Sequence, residues 1–275
     1  MSKNPLKYLV AGSKAVKLID HTQVHTLLSG GGHYYGISWN ENSLFILDRN
    51  AGQGDVVHVY DTMFNLVDTL DLGGSIDGHQ ILWHSSRLFI TDTKHNGILV
   101  YDGESLSVEN WTSYTYDVDH INSLSVLDDD HIIACHSYAK LNEERSSEFF
   151  KVNIETFEAK CVAALGNKVH NLCGNYCCDT HSGEILQIDD DYKIVKKLNL
   201  SKWVRGLDTT EDFIVVGGSE RAVRAERHDN LPGTVWILTH DFEIVDEITI
   251  ENLGQVCDIR VLDKKVSHNG LIFNY

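Results

Sequence analysis

The sequence predicts an all-β protein, a six-bladed β-propeller with four antiparallel strands in each blade. Six turn-rich stretches each lead into an aliphatic anchor residue, and the anchors are separated by 35 to 52 residues. Repeats of this length are typical of propeller blades. The anchors are Ile37, Ile81, Leu124, Leu172, Leu207 and Ile259.

The residues between the anchors supply the other strands of each blade. A second strand follows most anchors, as in Leu44–Asp48, and a third follows after a turn, as in Asp55–Asp61. Both have the alternating pattern and the Gly or Asp boundaries of β-strands. A fourth strand such as Leu66–Leu70 is more polar, as an outer edge strand must be to resist edge pairing. Four strands per repeat is the composition of a propeller blade.

The two ends of the chain are expected to build one blade together. Tyr8–Ala11, Ala15–Ile19 and Val24–Leu28 resemble strands two to four of a blade whose first strand is Val256–Leu262. We therefore predict a ring closed by the N- and C-terminal strands, in a single domain over residues 1–275. The segment Gly270–Phe273 is left over, and five or seven blades are the alternatives.

Composition favours one compact cytoplasmic domain. The 275 residues are 42% hydrophobic and include only two prolines, which argues against linkers. No stretch is apolar enough to span a bilayer, and Met1–Pro5 lacks the apolar run of a signal peptide. Six cysteines in such a protein are expected to be reduced and mostly buried.

The net charge of −17 argues against nucleic acid as a partner, because the 23 basic residues form no dense run. One short basic cluster holds Arg221, Arg224, Arg227 and His228. It is either a small-anion site or a solvated loop. The predicted partner is a small polar or anionic ligand, with no membrane and no nucleic acid; the sequence leaves the oligomeric state undetermined.

The candidate site lies where the first strands begin, because these strands line the channel and their opening residues converge. Residues two before an anchor should share one side of the strand with residues four before it. The first set is Tyr35, His79, Asn122, His170, Arg205 and Cys257. The second set is His33, Asp77, His120, Lys168, Trp203 and Gln255.

Two kinds of chemistry fit this polar ring. In the first, His79, His120 and His170, with His33 as a further candidate, bind a divalent transition metal that activates water or binds substrate oxygen. In the second, the histidines act without metal as acids and bases. In the metal-free scheme His33, Arg205 and Asp258 are the catalytic candidates. Histidines that only hold water and cap backbone groups are the structural alternative.

Arg205 is the only arginine among the six strand openings. A guanidinium in a channel is costly to desolvate unless a carboxylate or an anionic ligand pairs with it. We expect Asp258 as its internal partner, either leaving part of the guanidinium for substrate or forming a purely architectural bridge.

The last third of the chain resembles an uncharacterised family of bacterial propeller proteins. The resemblance rests on the Arg-Gly-Leu opening at Trp203–Leu207, the Val-Gly-Gly-Ser turn within Phe213–Ser219, Gly233–Trp236 and the final strand Val256–Leu262. It implies the propeller fold and carries no established activity.

The favoured function is an enzyme or small-molecule binder for a polar or sugar-like metabolite, with metal assistance as an option. A non-catalytic scaffold for a protein or glycan partner is the alternative. A scaffold should expose apolar patches on its rim, whereas an enzyme should cover its polar cluster. The insertions Ser137–Glu148 and Ser219–Pro232 are predicted to overhang the histidines, which favours the enzyme.

Overall fold

The computed structural model describes residues 6–30, 32–49, 53–103, 105–109, 120–137, 145–223 and 226–262. These residues form 24 strands in six four-stranded antiparallel sheets. The first strands of the six sheets contact one another in a closed ring. The predicted six-bladed β-propeller is confirmed.

Blades one to three follow the chain. Blade one contains β4 (His33–Trp39), β5 (Ser43–Arg49), β6 (Val56–Asp61) and β7 (Leu66–Asp71). Blade two contains β8 (Ile81–His84), β9 (Arg87–Asp92), β10 (Gly97–Tyr101) and β11 (Leu106–Glu109). Blade three contains β12 (Ile121–Asp128), β13 (His131–His136), β14 (Ser146–Asn153) and β15 (Ala159–Asn167).

Blades four to six complete the ring, and blade six joins both ends of the chain. Blade four contains β16 (Val169–Cys173), β17 (Tyr176–Asp179), β18 (Glu184–Ile188) and β19 (Ile194–Asn199). Blade five contains β20 (Trp203–Thr209), β21 (Phe213–Ser219), β22 (Gly233–Thr239) and β23 (Ile244–Ile250). Blade six contains β24 (Val256–Val261), β1 (Lys7–Gly12), β2 (Ala15–Asp20) and β3 (Gln23–Ser29).

The ring closes by pairing β24 with β1, as predicted. Tyr8 lies opposite Val261 and Val10 opposite Ile259 in this antiparallel pair. The backbone N–H of Leu262 also donates to Lys7 O at 2.8 Å. The segment Gly270–Phe273 lies outside the described residues, so its place in the domain stays a prediction.

The hydrophobic core lies between neighbouring blades. One cluster joins Leu9 and Val16 of blade six to Ile37 and Leu44 of blade one. Outer strands such as β3 and β19 are mostly exposed. All six cysteines are free thiols; four are buried, whereas Cys161 is exposed because it lies on the outer strand β15. No helix in the described part of the chain could cross a membrane.

Three of the first strands carry a β-bulge directly before the anchor. The pairing register shifts between His170 and Leu172 in β16 and between Val204 and Leu207 in β20. In β4 it shifts between Tyr34 and Ile37. A bulged residue does not pair within its own sheet. The N–H of Asn171 instead donates to Ser123 Oγ of the preceding blade, at 2.8 Å.

This contact is part of a belt of side chains that joins the blades around the axis. We call Gln80, Ser123, Asn171 and Asp258 the belt residues; each is buried and directly precedes an anchor. Each accepts a hydrogen bond from a backbone N–H of a neighbouring blade, and the donors are Leu124, Asn171, Gly206 and Ile37 respectively. Gly206 itself has a φ of +74°, and a Cβ there would lie 2.9 Å from the Ile259 side chain.

Candidate functional site

Three of the predicted histidines meet at one end of the channel. The ligand nitrogens of His79, His120 and His170 all lie within 4.8 Å of one another. The ring centroids of His79 and His120 are 4.9 Å apart, and those of His79 and His170 are 6.0 Å apart. We call these three residues the histidine cluster. Their role as metal ligands stays a prediction.

Each member of the histidine cluster comes from a different rigid blade. His79 lies just before β8, His120 just before β12, and His170 within β16. The turns that precede them are left-handed, with φ of +53° at Asp77 and +54° at Lys168. These turns aim successive side chains of neighbouring blades at the same point.

Two of the imidazoles are oriented by equivalent hydrogen bonds, each to the backbone carbonyl two residues earlier. His79 Nδ1 lies 2.7 Å from Asp77 O, and His170 Nδ1 lies 2.8 Å from Lys168 O. A carbonyl can only accept, so Nδ1 carries the proton and Nε2 keeps a free electron pair. Metal-binding histidines are held in this way by a second shell of acceptors. His170 Nε2 is buried and has no hydrogen-bond partner among the described residues.

Two threonines that directly follow second strands support these imidazoles. Thr93 Oγ1 lies 3.0 Å from His79 Nδ1 and donates to Ile121 O. Thr180 Oγ1 lies 3.1 Å from His170 Nδ1 and donates to Val204 O. The hydroxyls therefore fix the histidines and tie each blade to the next one.

The histidine cluster is electrostatically suited to neutral imidazole. Burial, reinforced by the Arg49 guanidinium, lowers the pKa of His79 well below its ordinary value. Burial and then Arg205 lower the pKa of His170 in the same direction. Neutral imidazole is the form that binds a metal or accepts a proton.

Three arginines surround the histidine cluster. Arg205 Nε is buried without a hydrogen-bond partner among the described residues. Arg49 pairs with Asp77 and lies 4.1 Å above the Tyr35 ring. Arg227 lies 4.5 Å above the Trp203 ring. This end of an acidic protein is locally cationic, and we call it the histidine mouth.

The expected bridge between Arg205 and Asp258 is wrong. Asp258 Oδ1 pairs with Arg260 Nη1 at 2.9 Å, and its carboxylate accepts from the N–H of Ile37 and Ile259. The reason is that Asp258 lies one residue before its anchor, in the belt, whereas Arg205 lies two before and faces the mouth. Asp258 as a catalytic residue stays a prediction, although its oxygens are occupied by these architectural contacts.

His33 lies at the rim of the mouth, outside the histidine cluster. Its Nδ1 is 2.8 Å from Ser13 O, and its ring stacks on His228 at 3.8 Å between centroids. The described part of the 219–232 insertion therefore packs against the rim of the mouth, and its covering of the histidines stays a prediction. Arg224 and residues 138–144 lie outside the described residues. A catalytic role for His33 is untested.

The sequence analysis missed Arg49, Thr93 and Thr180. All three lie at or just after the end of a second strand, whose following loop opens on the same mouth. A signal was present, because Asp-Thr follows the second strand in both blade two and blade four.

Comparison with known proteins supports the fold. No family model matches the chain, and no curated protein matches its sequence. A protein of unknown function from Bacteroides caccae has a TM-score of 0.68 at 11% identity, with coverage of 94% of this chain and 100% of that one. The WD40 β-propeller domain of Doa1 has a TM-score of 0.57 at 12% identity, covering 90% and 80% respectively. A luciferin-regenerating enzyme has a TM-score of 0.57 at 10% identity, covering 79% and 76%. Identities this low are evidence of a shared fold alone.

Proposed function

We propose that the histidine mouth is a metal-assisted site for a small anionic metabolite. The histidine cluster would bind one divalent transition metal, and Arg205 would bind the anion. The observation that carries this proposal is the meeting of three imidazoles, two of them oriented by backbone carbonyls, beside a guanidinium whose Nε lacks a partner among the described residues.

The donor set selects the class of metal. Three imidazoles favour zinc, copper, nickel or cobalt over magnesium and calcium, which prefer oxygen ligands. Nitrogens bound to one ion at about 2.1 Å lie at most about 4.2 Å apart. Since the three nitrogens already lie within 4.8 Å, small side-chain rotations suffice. Three protein ligands leave a coordination position open for water or a substrate oxygen.

The surrounding charges select the class of ligand. Arg49 is compensated by Asp77, whereas no described residue forms an ion pair with Arg205. A carboxylate or phosphate group would satisfy the guanidinium through two parallel hydrogen bonds. The Trp203 and Tyr35 rings, stacked with Arg227 and Arg49, would shield this contact from water. If no metal binds, the neutral imidazoles support acid–base chemistry on the same anion.

Metal analysis of tag-free protein tests the proposal. Purified protein should carry about one equivalent of metal, or regain it on titration with Zn²⁺ or Co²⁺ after chelation. His170→Ala should lower the affinity by at least about 100-fold because one ligand of three is lost. His131→Ala is the matched control, since His131 bonds Asp128 at the turn between β12 and β13 and should leave affinity unchanged. Absence of stoichiometric binding in the wild type, or an equal loss in both variants, would reject the metal.

A scaffold function is the second candidate, because apolar side chains are exposed on the outer rim of blade one. Met63, Leu66 and Val67 are 59%, 55% and 58% exposed. Exposed apolar groups in one patch are typical of protein interfaces. If this function dominates, the double variant Leu66→Asp, Val67→Asp should abolish partner binding while metal and anion binding persist.

We also propose membership of the uncharacterised bacterial propeller family and a cytoplasmic location. The first rests on the Arg-Gly-Leu and Asp-Ile motifs of β20 and β24. The second is supported by six free thiols, which are typical of reducing compartments. Thiol titration of protein freshly released from cells would count them.

A further inference from the structure

A cavity lies at the opposite end of the channel from the histidine mouth. Its volume is about 730 Å³, which is within the range of small-molecule sites. It is lined mainly by residues that follow the anchors, just as the histidine mouth is lined by residues that precede them. Those used below include Trp39, Leu82, Trp83, Val126, Cys173 and Arg260.

Arg260 is fixed with one edge of its guanidinium unused. Nε donates to Ile37 O at 3.1 Å, and Nη1 donates to Ile259 O at 2.8 Å and Leu207 O at 3.2 Å. Nη1 also contacts the Asp258 carboxylate at 2.9 Å. None of these contacts uses Nη2, and Arg260 lines the cavity. A donor held this rigidly can bind an acceptor with little loss of entropy.

The charge of Arg260 is already balanced. Asp258 and Asp208 both lie close enough to raise its pKa against the effect of burial. Asp208 accepts from the N–H groups of Thr209 and Val261, so its oxygens are also engaged. An anionic ligand would face two carboxylates, whereas a neutral carbonyl oxygen would meet a free donor without repulsion.

The walls of the cavity favour a flat apolar ligand. Trp39, Leu82, Val126 and Leu172 supply apolar surface. The Trp83 indole stacks on Phe45 with centroids 5.3 Å apart and planes 10° apart, which holds the indole in place. Aromatic rings bind such surfaces well. Polar residues such as Ser125, Thr209 and Glu211 line other parts of the cavity, so methyl glucoside is the competing probe.

We propose that this cavity is a second binding site, for a neutral planar aromatic compound that carries a carbonyl group. The carbonyl oxygen accepts a hydrogen bond from Arg260 Nη2, and the ring packs against the tryptophans. The belt residues lie between this site and the histidine mouth, so the proposal is independent of the function assigned to the mouth.

Equilibrium dialysis with 2-acetylnaphthalene tests the site on the intact protein. We expect saturable binding of one equivalent. 2-Ethylnaphthalene has nearly the same shape without the carbonyl and should bind about 10-fold to 100-fold more weakly, the range for a hydrogen bond to a charged donor. Val126→Trp should fill the cavity and lower the affinity at least about 10-fold. His170→Ala, in the histidine mouth, should leave it unchanged.

Alkylation maps the bound probe without any substitution. Cys173 lines the cavity and is partly buried, whereas Cys161 is exposed on the outer strand β15. 2-Acetylnaphthalene should slow iodoacetamide modification of Cys173 at least about fivefold and leave Cys161 unaffected. Absence of saturable binding, equal affinity for 2-ethylnaphthalene, equal protection of both thiols, or preferential protection by methyl glucoside would each overturn the proposal.

Discussion

Asn171 of the belt and His170 of the histidine mouth are adjacent residues, yet they differ in how their polar atoms are satisfied. Asn171 uses Oδ1 to accept from Gly206 N and Nδ2 to donate to Asp258 Oδ1. His170, the residue before it, leaves Nε2 buried without a partner among the described residues. Buried polar atoms without partners are costly. The comparison indicates that Asn171 serves the fold, whereas His170 is left with an atom for a ligand; within the belt, Gln80 Nε2 also lacks a partner among the described residues.

Removal of ring closure should eliminate both regions at once, the largest effect that we expect. A deletion of residues 1–22 removes β1 and β2 and leaves β24, which carries Asp258 and Cys257, without its partner strand. We expect no cooperative thermal transition, measured by circular dichroism, because an open ring exposes unpaired edges. Deletion of residues 1–5 alone should leave the transition intact. A normal transition after the longer deletion would show that closure is dispensable.

Loss of a single belt carboxylate should destabilise the fold strongly. Asp258→Ala removes the carboxylate that pairs with the Arg260 guanidinium and accepts from the Ile37 N–H. Breaking a buried ion pair in this way costs about 3–5 kcal/mol, which urea denaturation can measure. The matched change in the mouth, His170→Ala, should cost less, about 1–2 kcal/mol, because it removes one neutral hydrogen bond, to Lys168 O, together with a nitrogen that lacks a partner among the described residues. Equal losses in the free energy of unfolding for the two variants would contradict the distinction between belt and mouth.

Replacement of Arg205 should stabilise the fold and at the same time remove anion binding. Arg205→Met removes a desolvated cation and should raise the free energy of unfolding by about 1 kcal/mol. It should also abolish binding of phosphate or malonate as probe anions, measured by calorimetry. Arg205→Lys keeps the charge without the planar group, and should weaken binding with little change in melting temperature. A large fall in melting temperature for Arg205→Lys would instead assign Arg205 to the architecture.

The smallest effect should come from His228 at the rim. Burial, with a contribution from His33, lowers the pKa of His228 from 6.5 to about 4 in the folded protein. Between these values the unfolded chain binds a proton that the folded protein does not, so the free energy of unfolding falls as pH falls from 6.5 towards 4. In His228→Phe the free energy of unfolding should depend less steeply on pH, by an amount equivalent to the uptake of up to one proton. Urea denaturation from about pH 4.5 to 7.5 measures this slope. An unchanged slope would contradict this.

Most of the fold could be predicted because the spacing of apolar residues marks the strands of each repeat. Each anchor marks a first strand, and the pairing of Tyr8 with Val261 follows from the incomplete blades at the two ends. The convergence of His79, His120 and His170 was also predictable, since residues two and four before the anchors share one side of first strands that line the channel.

The belt could not be predicted from strand alternation. The register shifts in β4, β16 and β20 interrupt the period of two directly before the anchor, and alternation holds only in regular strands. Asp258 was assigned to the ligand site as a residue of a strand opening, although it bonds Arg260 and Asn171. The cavity around Arg260 was also missed, because residues that follow the anchors read as ordinary strand positions.

The pairing of β24 with β1 also sets an order on folding. Tyr8 and Val261 come from opposite ends of the chain, so their contact closes the longest loop in the molecule and carries the largest loop-closure entropy. The other blades pair strands that are neighbours in sequence and can form without it. Blade six should therefore be completed last, and until then β1 and β24 present unpaired edges to other chains. The ring that gives the native protein its rigidity thus exposes the newly made chain to aggregation until its last pair of strands has formed.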